Sequence, residues 1–103
     1  MTFEQRYVHG RKIVVTIGQP VPLADFPTPV KWVTVQALRG NTGYVVTGSR
    51  LVRAQTGELN SLSLAVPAAS PPQMETYTDI DLMDVYVDAS VANEGVAFKG
   101  ERA

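Results

Sequence analysis

Four aspartates, Asp79, Asp81, Asp84 and Asp88, crowd into one short stretch near the C-terminal end. Alternating carboxylates in a loop are how a protein gathers the roughly six to eight oxygen ligands that calcium takes. The run Asp79-Ile80-Asp81-Leu82-Met83-Asp84 lacks the loop glycine and terminal glutamate of an EF-hand. Ile80, Leu82 and Met83 read instead as apolar partners in a tight turn whose aspartates accept local backbone hydrogen bonds. Asp88 then reads as the solvent-side member of a following strand, and no metal site is expected. His9 is the only histidine. Nucleophilic catalysis needs a base, a nucleophile and an orienting group in contact, and no serine here stands on a glycine-flanked elbow. Glu58, Glu75 and Glu94 are the carboxylates that a glycosidase pair would draw on, but their separation in space is not written in the sequence. Gly40-Asn41-Thr42-Gly43 lies between strand-like segments with no helix start after it, so it is not a phosphate loop. The expectation is a protein without catalytic residues, cofactor or metal: not an enzyme.

The elements that would hold such residues are strands. Arg11–Ile17, Val30–Leu38, Gly43–Gly48, Leu62–Val66, Val85–Ala89 and Val96–Lys99 are β-branched or alternate apolar with polar, as a pleated, half-buried surface requires. Leu51–Ala54 and Glu75–Thr78 are weaker candidates. Arg39–Gly43 and Ala92-Asn93-Glu94-Gly95 have hairpin-turn chemistry. Pro67-Ala68-Ala69-Ser70-Pro71-Pro72 reads as a stiff surface loop. Short strands at intervals of roughly ten residues predict an all-β fold, a single small β-sandwich or jelly-roll-like barrel. Val14, Val33, Val35, Val46, Leu64, Val85, Val87 and Val96 are the expected core. In Val30–Leu38 one face carries Val33, Val35 and Ala37, and the other Val30, Trp32, Thr34, Gln36 and Leu38. Both are partly apolar, which fits a strand covered on both sides.

With 103 residues, a net charge of −1 and no cysteine, the chain has room for one core and none for a disulfide framework. The scattered basic residues predict no nucleic-acid partner. No run approaches a membrane span and the start lacks signal-peptide order, so no membrane partner is expected either. The organisation predicted is an N-terminal arm, residues 1–10, before a β domain, residues 11–103. The arm carries Phe3, Tyr7 and Val8 without a clear place for them, so it is expected to add to the edge of a neighbouring copy in a homo-oligomer, taken as a trimer. Phe3, Tyr7, Val8 and Trp32 are the candidate interface residues.

One resemblance adds to this. Lys31-Trp32-Val33-Thr34-Val35-Gln36-Ala37-Leu38, then Gly40-Asn41-Thr42-Gly43-Tyr44-Val45-Val46-Thr47-Gly48, then the run Asp79–Phe98 with Asp84-Val85-Tyr86-Val87-Asp88-Ala89, resembles small virion structural proteins of tailed bacteriophages and prophages. His9-Gly10-Arg11-Lys12 fits the same pattern. The chain departs from it at Ala65–Pro72, where such proteins have a shorter, glycine-containing turn. Members are similar to head decoration, or cement, proteins that bind the outside of the capsid lattice. The resemblance implies that the major capsid protein is the partner and the virion exterior the location, after synthesis in the host cytoplasm. A head–tail or tail accessory protein is the alternative within the virion. A carbohydrate- or ligand-binding β module is the alternative outside it, and would draw an aromatic platform from Tyr7, Trp32, Tyr44, Tyr77 and Tyr86.

Overall fold

The computed structural model describes residues 2–54, 65–67 and 74–103. A one-turn helix, Phe3–Arg6, leads into eight strands: β1 Tyr7–Val14, β2 Val21–Pro22, β3 Pro29–Ala37, β4 Tyr44–Gly48, β5 Ala65–Pro67, β6 Met74–Asp81, β7 Tyr86–Ala89 and β8 Glu94–Arg102. They form two antiparallel four-stranded sheets, ordered β1-β8-β3-β6 and β2-β7-β4-β5. β1 pairs with β8, β2 with β7, β3 with β6 and β4 with β5, which is a long hairpin rolled up so that successive strands alternate between sheets except at its tip, where β4 and β5 share one. That order is the jelly roll, the double Greek-key way of making a sandwich.

The rolled topology corrects both hairpin readings. The turn after β3 and the turn after β7 reverse the chain, as their glycine and asparagine predict. Each nevertheless passes from one sheet to the other instead of joining neighbours in a ladder. Asn93 adopts φ +66° in the second turn, a conformation that asparagine tolerates better than most residues.

The core lies between the sheets. Val33, Val35 and Ala37 of β3, Val96 of β8 and Val14 of β1 meet Val45 of β4 and Val85, Val87 and Ala89 around β7, all buried. Valine dominates because β-branched side chains fill the space between pleated layers in few rotamers. Val46 is buried too, but not there. It pairs with Asp88, while Val45 pairs with Ala89, so Val46 faces the far side of the second sheet, outside the central cluster. The expected core position Leu64 lies outside the described residues. Between the sheets the Thr47 and Tyr77 hydroxyls are 2.7 Å apart. Burial is the main cause that raises the Tyr77 pKa above its ordinary value; the Thr47 bond works against it and the Glu75 charge with it.

Four further expectations are corrected. The first strand is Tyr7–Val14, not Arg11–Ile17; Val15 and Ile17 are exposed, Val15 at 67%. Tyr7–Gly10 therefore belong to the sheet of their own chain, paired with Glu101, Gly100, Lys99 and Phe98, and are not an arm. Gly10 admits the Phe98 ring, which sits 3.2 Å from where a Cβ would be. Leu51–Ala54 form no strand but part of the loop after β4. Val30 does not share a face with Trp32: a register break between them turns Val30 into the core.

Candidate functional site

The two sheets differ in what covers their outer faces. On the second sheet, Asp88 is 0% exposed, which overturns its reading as a solvent-side residue. Its Oδ1 accepts from the Gly18 amide at 3.0 Å and its Oδ2 from the Ala54 amide at 2.8 Å. One carboxylate thus pins the loop after β1 and the loop after β4 across that face. Val46 and Val52 are buried with it, each nearly inaccessible.

The outer face of the first sheet is open among the described residues. The register aligns its side chains in three rows across β1, β8, β3 and β6: Tyr7, Glu101, Trp32, Thr78; then His9, Lys99, Thr34, Thr76; then Arg11, Ala97, Gln36, Met74. Rows stand roughly 6.6 Å apart, two residues along a strand, and neighbouring strands about 4.8 Å apart. The second and third rows, Thr76 excepted, line a shallow groove of about 490 Å³, with Gly10 and Phe98 also contributing. His9, Arg11, Lys99, Thr76 and Met74 are exposed; Thr34, Gln36 and Ala97 form the half-buried floor. The Thr34 and Thr76 hydroxyls are 3.0 Å apart. The groove has three basic side chains and no carboxylate. The first row differs: Glu101 accepts from Trp32 Nε1 at 3.2 Å and lies 3.8 Å from Lys31 Nζ.

The carboxylates singled out in the sequence serve as ties. Asp81 Oδ1 accepts from Thr28 N at 2.8 Å and Met83 N at 2.9 Å, capping the 3-10 turn Leu82–Asp84 and anchoring the approach to β3. This is the local hydrogen bonding read from the sequence, and Leu82 is buried as expected. Asp79, at φ +52°, and Asp84 are exposed. Among the described residues no group of three or more histidines and carboxylates is placed to hold a metal. Glu94 accepts from Thr42 N, Thr42 Oγ1 and Gly43 N. Burial is the largest single influence and pushes its pKa up, but those three donors together outweigh it and hold the carboxyl below its ordinary value. Glu75 lies on β6, away from Glu94 at the start of β8; Glu58 lies outside the described residues.

Of the interface candidates, Val8 packs against its own core, Tyr7 and Trp32 share the first outer row, and the Phe3 side chain is outside the described set. The five rings proposed as a platform are dispersed. Tyr77 lies between the sheets, Tyr44 projects from the start of β4, Tyr86 is on β7, and only Tyr7 and Trp32 come into one row. Sequence reasoning missed Arg11, Lys99, Thr34, Gln36 and Met74. The alternation of each strand was the available signal, but the pairing of β1 with β8 and β8 with β3 unites strands from opposite ends of the chain.

Comparison with protein-family models, with curated proteins and with solved structures gave no match.

Proposed function

We propose that the chain is a non-catalytic binding module, a virion structural protein that decorates the outside of a tailed-phage head. The observation that carries the binding reading is the asymmetry of the two outer faces. The chain covers one with its own loops, pinned on Asp88, and the other is, among the described residues, an open four-stranded surface with a shallow polar groove. A broad open face suits docking on another protein surface better than enclosing a small substrate, which calls for a concave site that buries most of the ligand. The virion assignment rests on the sequence resemblance. The jelly roll favours it by analogy, since viral capsid domains use that architecture, although the fold also serves lectins and enzymes. Repeated weak contacts on a lattice would add up to firm attachment, and a trimer would present three such faces together.

The test is to mix the purified chain with undecorated heads of the phage whose genome encodes it and sediment the particles. Saturable co-sedimentation, with electron microscopy placing the density on the head exterior, is the expected result. Density at the neck or tail would assign the accessory role instead. Light scattering of the free and particle-bound chain tests the trimer; a monomer in both settings removes it.

A further inference from the structure

The groove on the first sheet has a charge pattern that specifies its ligand more narrowly than openness does. Arg11 and Lys99 are both exposed, and no carboxylate among the described residues pairs with either. Lys12 and Lys31, by contrast, have Asp25 and Glu101. Lys99 stands directly opposite His9, and Arg11 follows His9 by two residues on the same edge strand. The two cations and the His9 imidazole therefore form a compact triangle over β1 and β8. The floor beside them is Thr34, Gln36 and Ala97, with Met74 on β6.

We propose that this groove binds an acidic segment of a partner polypeptide, running in extended form along the strands. The inference rests on the binding-module reading above. Carboxylates two residues apart on an extended chain repeat at roughly 6.6 Å, the spacing between the His9 and Arg11 rows. The Gln36 amide and the Thr34 hydroxyl are suited to a peptide backbone, and Met74 and Ala97 to its apolar side chains. Nucleic acid fits less well. A phosphate backbone calls for many cations along its track, and a chain with ten acidic against nine basic residues offers no field to draw it in. An acidic polysaccharide would find no exposed phenyl, phenol or indole ring to stack on, since the Phe98 ring that lines the groove is half-buried under Gly10.

The experiment titrates the full chain with a fluorescent oligo-glutamate peptide, a duplex oligonucleotide and heparin, at low and physiological salt. It then repeats the titrations with Arg11→Glu/Lys99→Glu. Both side chains are exposed strand positions, and circular dichroism confirms the fold. Arg39→Glu/Arg50→Glu, also exposed and outside the groove, is the charge-matched control. Oligo-glutamate should bind, weaken with salt, and bind the groove variant at least about tenfold less tightly, while the control retains its affinity. The proposal is overturned by no oligo-glutamate binding at low salt, by equal loss in both variants, or by preference for the oligonucleotide or heparin. Head co-sedimentation separates it from the reading beneath it. A groove variant that decorates heads as well as the natural chain refutes the groove and leaves the module standing. Specific oligo-glutamate binding by a chain that ignores heads does the reverse.

Discussion

Asp88, Asp81 and Glu94 do the same job in three places: each accepts from two or more backbone N–H groups of loop or turn segments. Charged acceptors make the stronger hydrogen bonds, and a buried donor that loses its partner costs roughly 1–3 kcal/mol. Asp88→Ala strips the acceptor from the Gly18 and Ala54 amides and should destabilise the fold by about 2–4 kcal/mol on that basis. Asp88→Asn, which keeps one carbonyl acceptor, should cost less. Denaturant titration measures both, and hydrogen exchange should show the two amides losing protection in Asp88→Ala. Unchanged exchange at both would mean that Asp88 does not hold the loops. Glu94 contributes an acid dependence. Its folded-state pKa lies below the ordinary 4.5, so its contribution is complete above pH 4.5 and declines as pH falls below that value through the folded pKa. Glu94→Gln should therefore flatten the melting-temperature profile below pH 4.5, and a variant profile parallel to the natural one would exclude this role.

At the scale of elements, β1 decides whether the N-terminus is an arm. Its first four residues pair with β8, and Val8 packs on the core. Removing residues 1–6 leaves the ladder intact and should change stability little. Removing residues 1–10 deletes half of the strand and uncovers Phe98, and should cost on the order of 2–4 kcal/mol in lost burial and pairing. Equal stability of the two truncations would restore the arm. Edge protection follows the same logic. β6 is an edge strand of the first sheet, and its ladder with β3 breaks where Asp79 takes the left-handed conformation beside Lys31. An irregularity with charges beside it blunts an edge that would otherwise invite another strand.

For the molecule as a whole, the two sheets share one core and should unfold as one unit. Val33→Ala on β3 and Val87→Ala on β7 empty the same space from opposite sides, and each should cost on the order of 1–3 kcal/mol. For a domain this size each kcal/mol lowers the melting temperature by roughly 4–8 °C. Calorimetry should give a single transition for both variants; two separable transitions would mean that the sheets are energetically independent.

The sequence by itself determined the class of structure and most of its interior. Period-two alternation of β-branched residues set β3, β4 and β7 almost to the residue, and the buried valines with them, because a strand's two faces are written in adjacent positions. It also identified the capping role of the Asp79–Asp84 turn, which is local. The strand partners were decided only in three dimensions. Asparagine and glycine mark where a chain reverses, not whether it returns to the same sheet or crosses to the other, so the turns looked like hairpins and are sheet-to-sheet links. The Asp88 carboxylate alternates outward, as the pattern requires. It is buried because loops from sequence-distant segments fold over it, and loop packing has no period to read. The candidate groove has the same origin: His9 and Lys99, ninety residues apart in the numbering, face each other only because the chain's two ends pair as β1 and β8.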